Sequence, residues 1–162
     1  MIGVLDPAQP EVRRGCLKAC TKGLHELVKR FPMTSFHKDT QRFAVGTIEA
    51  VIIIYDLRTA TKWRVLEGHR SPVVALAFSP NGSQLGSYSS EEATVRSWDT
   101  GRSGFFGDIL SIQGRCLKEV KLQRTKQPGS AVDVLKHCDF SWIAKRQVAL
   151  AREDGSQLRL KI

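Results

Sequence analysis

The chain has little cysteine, and the spacing of what it has excludes the common metal and redox motifs. Only four of its 162 residues are cysteines, Cys16, Cys20, Cys116 and Cys138, and no two of them form a C-x-x-C pair. Zinc sites and thioredoxin-like centres use that pair. We therefore expect no metal site, no cofactor and reduced, buried thiols, as in a cytosolic protein.

The sequence also lacks the short motifs of common enzyme classes. It contains no G-x-x-x-x-G-K-[ST] phosphate loop, no G-x-G-x-x-G fingerprint, no H-E-x-x-H zinc motif and no G-x-S-x-G nucleophile elbow. One S-x-x-K match begins at Ser35, but it lies at the end of a predicted strand rather than on a helix. We expect a protein without catalytic activity.

Long apolar runs are absent as well. No segment approaches the roughly 20 apolar residues that cross a bilayer, and Met1–Leu5 is followed at once by Asp6 and Pro7 instead of a secretory apolar stretch. We expect a soluble, intracellular protein.

Residues 10–30 have the pattern of an amphipathic helix. Apolar side chains recur at steps of three and four, and the basic side chains fall on another face. Pro10 suits the first helical turn, and Pro32 ends the pattern. The apolar stripe comprises Cys16, Cys20, Leu24, Leu27, Val28 and Phe31. The pattern predicts a helical segment within residues 1–32, which packs on its neighbours or lies on a membrane surface.

From Met33 onward the spacing of the apolar residues becomes that of β-strands, and the sequence contains an internal repeat. Four positions recur at an offset of 43 residues: Thr47 and Ser90, Glu49 and Glu92, Tyr55 and Trp98, and Asp56 and Asp99. Phe36 and Phe78 match at 42, which places a one-residue insertion near 89–91. A period of about 40–45 residues, with a Gly-His start at His69 and a Trp-Asp end at Trp98, is typical of one blade of a WD-repeat β-propeller.

The repeat predicts a mainly β fold with blades at residues 33–67, 68–122 and 131–162, preceded by the amphipathic helix. The β-branched run Val51–Ile54 predicts a strand covered on both faces. Two blades are clear and the third is degenerate, because Leu160 takes the place of Tyr55 and Trp98. Propellers typically close with about 4–8 blades. We therefore expect an incomplete propeller, either the C-terminal piece of a longer protein or a short form that another chain completes.

Blades of this type often contain a hydrogen-bonded set formed by the Gly-His histidine, a serine or threonine, an acidic residue and the tryptophan. By position, the second blade offers His69, Ser90, Glu92, Trp98 and Asp99, and the first offers Thr47, Glu49, Tyr55 and Asp56 without a histidine. A carboxylate can orient an imidazole N–H, and the imidazole can bond a hydroxyl. Histidine, serine and an acid also occur in hydrolases, but no oxyanion-hole motif accompanies them here. We predict a structural network.

The net charge of +9 suggests an electrostatic partner. The densest basic run covers residues 115–126, where Glu119 is the single acid and aromatic residues that could stack on bases are absent. We expect no nucleic-acid partner. Three interpretations of the basic charge remain: a solvated rim, a contact with an acidic protein, or a contact with an anionic membrane surface. The candidate contact residues are Arg115, Lys118 and Lys121.

The chain resembles the C-terminal region of the rabconnectin beta-subunit family in three segments, Tyr55–His69, Leu24–Met33 and Gln41–Thr47. The resemblance covers about residues 6–98 and is loose after Gly104. It implies a large cytoplasmic scaffold that has WD repeats at both ends and helical repeats between them, with residues 1–32 ending the helical repeats.

The resemblance also implies partners. They are a larger WD-repeat rabconnectin alpha subunit and subunits of the vacuolar proton-pumping ATPase. The family regulates assembly of this pump, vesicle acidification and vesicle trafficking, and associates peripherally with synaptic or endosomal vesicles. A generic WD-repeat adaptor of a ubiquitin-ligase or chromatin complex is the alternative.

Overall fold

The computed structural model describes residues 33–101, 114–124 and 138–162, which form eleven β-strands. The strands make three antiparallel sheets of four, four and three strands, and consecutive strands are hydrogen-bonded neighbours within each sheet. The predicted mainly β fold is confirmed. The helix predicted at residues 10–30 lies outside the described residues.

Each sheet corresponds to one blade. Blade 1 contains β1 (Thr34–His37), β2 (Arg42–Gly46), β3 (Val51–Asp56) and β4 (Thr61–Glu67). Blade 2 contains β5 (Ala75–Phe78), β6 (Gln84–Ser89), β7 (Thr94–Asp99) and β8 (Cys116–Lys121). Blade 3 contains β9 (Asp139–Ala144), β10 (Gln147–Ala151) and β11 (Gln157–Lys161).

The same hydrogen-bonded four-residue turn lies between the second and third strands of every blade. Its last residue has a left-handed φ of 64° at Ala50, 49° at Ala93 and 79° at Gly155. The N–H of that residue donates to the carbonyl of the first residue of the turn, which is Thr47, Ser90 or Arg152. Strand β6 is one residue longer than β2. The sequence offset between equivalent residues of blades 1 and 2 therefore rises from 42 before this turn to 43 within it.

The apolar core lies between blades rather than inside any one of them. Between blades 1 and 2 it comprises Ala44, Ile52, Ile54 and Leu66 against Val73, Leu76, Phe78, Leu85 and Trp98. Between blades 2 and 3 it comprises Val74, Ala75, Tyr88 and Val95 against Cys138, Phe140, Val148, Leu150 and Ile162. Each sheet is therefore stabilised by its neighbour, as in other repeat architectures.

Strand β3 corrects one expectation. Ile52 and Ile54 are fully buried against blade 2, but Val51 and Ile53 on the opposite face are only partly buried. Successive side chains of a strand point to opposite faces. The β-branched run is therefore completely covered on one face only within the described residues, rather than on both.

Candidate functional site: a hydrogen-bonded network in blade 2

Four side chains form a continuous hydrogen-bonded chain through the interior of blade 2. The indole Nε1 of Trp98 donates to Ser87 Oγ over 2.8 Å, and the Ser87 hydroxyl lies 2.8 Å from His69 Nε2. The other imidazole nitrogen, His69 Nδ1, bonds the Glu92 carboxylate. Ser87 is 0% exposed and His69 is 7% exposed, so the network lies inside the fold.

The donors and acceptors fix the direction of these bonds. An indole N–H can only donate, so Ser87 Oγ accepts from Trp98. A carboxylate can only accept, so we assign the imidazole hydrogen to His69 Nδ1, which donates to Glu92. In the neutral imidazole Nε2 is then an acceptor, and it accepts the Ser87 hydroxyl proton. Burial lowers the pKa of His69, and this outweighs the opposite effect of the neighbouring Glu92 carboxylate. The neutral form of the imidazole is therefore favoured.

Local structure places each member of the network. Ser87 and Trp98 lie on adjacent strands, β6 and β7, of one sheet. Glu92 lies in the turn between those strands, where its Oε1 also accepts the Arg70 N–H over 3.4 Å. His69 follows Gly68, where an added Cβ would lie 2.9 Å from the Trp98 indole. Glycine at this position therefore allows the link between blades to pass close to the ring.

The serine of the network is Ser87, not Ser90 as predicted. Ser90 begins the turn, where its carbonyl accepts the Ala93 N–H, and it is the backbone equivalent of Thr47. The repeat comparison missed Ser87 because the residue 42 positions earlier is Val45, which has no hydroxyl. Strand alternation from Leu85, which pairs with Trp98, is the signal that could have found it.

Blade 1 does not form this network among its described residues. Tyr55 takes the place of Trp98 but is only partly buried, and Glu49 is exposed at its turn. Thr47 Oγ1 donates to the Val51 carbonyl over 2.9 Å, within its own turn. These three predicted residues are thus not brought together.

Asp56 and Asp99 have the same local role at the ends of their strands. Each carboxylate accepts the backbone N–H two residues later, from Arg58 over 2.9 Å and from Gly101 over 2.8 Å. Asp56 also pairs with the Arg58 guanidinium, at 2.7 Å for the shorter contact. This hydrogen bonding holds the pKa of Asp56 below its ordinary value. Neither aspartate is bonded to the His69 network.

The order Ser87–His69–Glu92 has the connectivity of a hydrolase triad, but the site cannot perform that chemistry. Nucleophilic attack requires an accessible Oγ with hydrogen-bond donors positioned around the developing oxyanion. Ser87 Oγ is enclosed and already accepts the Trp98 N–H. The arrangement therefore holds strands and turns together rather than binding a substrate.

The three basic residues predicted as a contact rim are exposed but do not form one cluster. Arg115 precedes β8, the outermost strand of blade 2. Lys118 Nζ donates to the Lys161 carbonyl over 2.8 Å and so bridges to blade 3. Lys121 is 81% exposed and lies 4.0 Å from Glu119. Since side chains three positions apart leave a strand on opposite faces, β8 presents positive charge on both sides.

Sequence reasoning missed a stacked group at the contact between blades 1 and 2. The guanidinium carbons of Arg42 and Arg64 lie 3.3 Å and 4.3 Å from the centroid of the Trp63 ring. Arg42 Nη1 donates to the Thr100 carbonyl over 2.6 Å, and Arg64 Nη1 donates to the Asp99 carbonyl over 3.2 Å. Both arginines are buried, so they connect the two blades rather than a ligand.

In the part of the chain that the structure describes, no group of three or more histidine, cysteine, aspartate or glutamate residues is arranged to hold a metal ion. In the same ranges no helix is long and apolar enough to span a membrane.

Comparison with known proteins agrees with this architecture. Residues 60–99 match the family model described as WD domain, G-beta repeat. This match runs from β4 through the third strand of blade 2, so one sequence repeat spans two blades.

The chain is 38% identical over 69 residues to pre-mRNA-processing factor 19 of Oryza sativa subsp. japonica, covering 43% of this chain. It is 34% identical over 64 residues to the serine-threonine kinase receptor-associated protein of Dictyostelium discoideum, covering 40% of this chain.

The chain spans only 13% and 22% of the length of these two relatives. Among solved structures, it is similar to the β-propeller domain of Cps50 (Swd1) of Myceliophteria thermophila, with a TM-score of 0.58 and 21% identity over 82% of this chain and 36% of that one. Kluyveromyces lactis Hsv2 gives a TM-score of 0.57 at 12% identity, covering 82% of this chain and 46% of that one. These likenesses show the fold. Residues 60–99 therefore contain a WD, G-beta repeat, and the repeated sheets are similar to the blades of solved β-propellers.

Proposed function

We propose that the chain is a non-catalytic interaction scaffold that binds protein partners through the exposed rim of its blades. The observation that carries this proposal is the contrast between two polar regions. The His69–Ser87 network is enclosed and has no route to a substrate, whereas the outermost strand β8 exposes lysines on both faces. The rim, and not the interior, is available for binding.

The charge of the rim indicates the chemistry of the partner. Lys121 extends into solvent, and its nearest carboxylate, Glu119, is shared with Arg96 at 2.8 Å. Exposed charges of one sign steer a partner of opposite sign, and salt screens that attraction. An acidic protein surface therefore suits β8.

The resemblance of Tyr55–His69 to the rabconnectin beta-subunit family supports a specific setting for this scaffold. In that setting the chain acts on the cytoplasmic side of synaptic or endosomal vesicles. It would bind the large WD-repeat alpha subunit and subunits of the vacuolar proton-pumping ATPase, and so promote pump assembly, vesicle acidification and trafficking.

A second candidate is an adaptor in a different multiprotein complex, such as a ubiquitin-ligase or chromatin complex. The observation favouring it is the 38% identity to a pre-mRNA-processing factor over 69 residues. This local identity falls in the WD-repeat region, which adaptors of many complexes share.

Affinity capture with the full chain, followed by mass spectrometry, tests the proposal. Recovery of proton-pump subunits together with a very large WD-repeat protein is the expected result. Recovery of splicing factors, cullin adaptors or histones in their place would favour the second candidate and contradict the first.

Reversing the charge of lysines on β8 tests whether this strand forms the contact with the partner. The double variant Lys118→Glu, Lys121→Glu should reduce capture, and wild-type capture should fall as salt rises from about 0.05 to 0.5 M. The matched control is the double variant Lys145→Glu, Arg146→Glu, which reverses two exposed basic residues on the β9–β10 turn and should retain capture. Equal capture by all forms at every salt concentration would remove β8 from the interface.

A further inference from the structure

The two ends of the blades carry opposite charge. Because the strands of each sheet are antiparallel neighbours, every second connection lies at the same end. One end carries the connections β1–β2, β3–β4, β5–β6, β7–β8 and β9–β10, and we call it the basic end of the blades. Beside Arg58, its exposed basic residues are Lys38, Lys62, Arg115, Lys145, Arg146 and Lys161.

Contacts between blades join these connections into one surface. His37 Nε2, at the end of β1, donates to the carbonyl of Pro80 in the β5–β6 turn over 3.0 Å. Pro80 and Lys145 line one cavity of about 220 Å³, so the β9–β10 turn lies beside the β5–β6 turn. The blades meet face to face through buried clusters. A further blade would pack on a flank of this stack and leave the basic end uncovered.

The acidic residues at the basic end do not balance its positive charge. Asp56 is buried and pairs with Arg58 at 2.7 Å, so these two charges neutralise each other. Asp99 is partly buried, and its carboxylate accepts the Gly101 N–H over 2.8 Å. Among the described residues of this end, Asp39 is the exposed acid. The surface that solvent reaches is therefore strongly positive.

The opposite end of the blades carries mainly acidic side chains. It contains the β2–β3, β6–β7 and β10–β11 turns together with the strand ends next to them. Its exposed acidic residues are Glu49, Glu67, Glu91, Asp139 and Asp154. Its exposed basic residues within the described ranges are Arg70, Lys121 and Arg124. A charge distribution of this kind orients a protein relative to a charged surface.

The composition of the basic end indicates the kind of partner. Interfaces between proteins have an apolar centre from which charged residues, lysine in particular, are depleted. In the described part of the chain, the turns of the basic end expose no large apolar side chain. Their charges are also spread over the turns of more than one blade instead of lining one pocket. Such a surface suits a partner that presents negative charge continuously, as a layer of anionic lipid headgroups does.

We propose that the basic end of the blades lies against an anionic phospholipid membrane, with its lysines and arginines facing the lipid phosphate and carboxylate groups. The inference rests on the vesicle setting of the proposed function, in which a cytoplasmic leaflet is within reach. The acidic end then points away from the membrane. Strand β8 runs along the side of the blades, so a protein partner can still reach Lys121.

Co-sedimentation of the full chain with lipid vesicles tests the proposal without any other protein. We expect the chain to bind vesicles of phosphatidylcholine and phosphatidylserine and to remain in solution with vesicles of phosphatidylcholine alone. Binding should weaken as salt rises, because salt screens the attraction between exposed charges. Equal binding to both kinds of vesicle, or to neither, would overturn the proposal.

Charge reversal at each end identifies the surface that binds. One basic residue near an anionic membrane strengthens binding by about fivefold, so Lys145→Glu, Arg146→Glu should weaken binding to the phosphatidylserine vesicles by about 25-fold or more. The matched control is Arg70→Glu, Arg124→Glu, which changes the net charge equally at the acidic end and should bind like the wild type. An equal loss in both variants would contradict a contact through the basic end.

Circular dichroism checks that each variant keeps its sheets. If the reversal at Lys145 and Arg146 disturbs blade 3, the variant Lys38→Glu, Lys62→Glu replaces it, because both lysines are exposed at the basic end of blade 1. This variant should show the same loss of vesicle binding. Unchanged binding in a correctly folded variant of this kind would contradict the proposal.

The vesicle assay and the capture assay fail independently. The β8 variant Lys118→Glu, Lys121→Glu should lose protein capture and still bind vesicles, whereas Lys145→Glu, Arg146→Glu should do the reverse. A chain that binds vesicles but captures no partner would contradict the scaffold function alone. A chain that captures its partner but does not bind vesicles would contradict the membrane contact alone.

Two other polyanions serve as competing probes. Binding of poly-glutamate without binding of vesicles would assign the basic end to an acidic protein. Binding of a DNA duplex without binding of vesicles would assign it to nucleic acid. Either result would overturn the membrane contact.

Discussion

Trp98 and Ser87 lie on neighbouring strands and are joined by a 2.8 Å hydrogen bond from the indole Nε1 to the hydroxyl oxygen. This bond satisfies the polar atom of a nearly fully buried aromatic side chain. Because Ser87 also donates to His69, one hydroxyl connects the strand-end tryptophan to the link between blades and, through Glu92, to the turn. Its position makes Ser87 the residue on which the network depends.

Replacing Ser87 with alanine should therefore be costly. Ser87→Ala would leave Trp98 Nε1 and His69 Nε2 buried without partners, and we expect a loss of about 1–3 kcal/mol in the free energy of unfolding. Ser90→Ala is the matched control, because Ser90 contributes a backbone carbonyl to its turn and alanine keeps that group. Urea unfolding of both variants at one protein concentration measures the difference. Equal losses would contradict the assignment of Ser87.

Truncation of Trp98 tests the packing between blades 1 and 2. Trp98→Ala should reduce the free energy of unfolding by about 3–5 kcal/mol, since it removes a large aromatic side chain from a buried cluster. Ile48→Ala, at a side chain that is 84% exposed, should change stability by no more than about 0.5 kcal/mol. A Trp98 variant as stable as the wild type would show that the interface between these blades contributes little to folding.

The buried imidazole predicts a pH dependence with a definite sign. Burial lowers the pKa of His69 in the folded chain, so the unfolded chain binds more protons between the folded pKa and about 6.5, the ordinary value. Stability should fall as pH drops through that window, with a slope of at most about 1.4 kcal/mol per pH unit from this one group.

Urea unfolding at pH 7.5 and pH 5.5 checks this sign. His69→Gln lacks a titrating group in this range, so its stability should change less between the two pH values than that of the wild type. A variant with the same pH dependence as the wild type would assign the effect to other groups.

The backbone of this chain is largely predictable from its sequence because the backbone repeats. The 43-residue offset between Ala50 and Ala93 marks a turn that recurs with the same left-handed residue and the same hydrogen bond. Turn geometry depends on a few local residues, and alternating strands follow from local pattern. Each of these features can therefore be predicted from a short segment of the sequence.

The side-chain network was less predictable because it breaks the repeat. Ser87 corresponds to Val45 in blade 1, so a comparison of blades passes over it. The stack of Arg42 and Arg64 on Trp63 depends on how two blades meet, and contacts between sheets leave no short-range signal in the sequence. Features that belong to one blade or to an interface require the three-dimensional arrangement.

The contact between Gly86 and Phe140 provides the last test, because the Phe140 ring lies over the glycine where blade 3 packs on blade 2. Gly86→Ala would place a methyl carbon 2.2 Å from Phe140 Cε1, so the ring or strand β6 must move. Overpacking of this kind costs about 1–3 kcal/mol. Phe140→Leu removes the ring atoms that collide, and in its presence the Gly86→Ala change should cost markedly less. A double-mutant cycle of unfolding free energies measures this coupling. If the two changes were additive, the absence of a side chain at Gly86 would not be needed to seat the Phe140 ring.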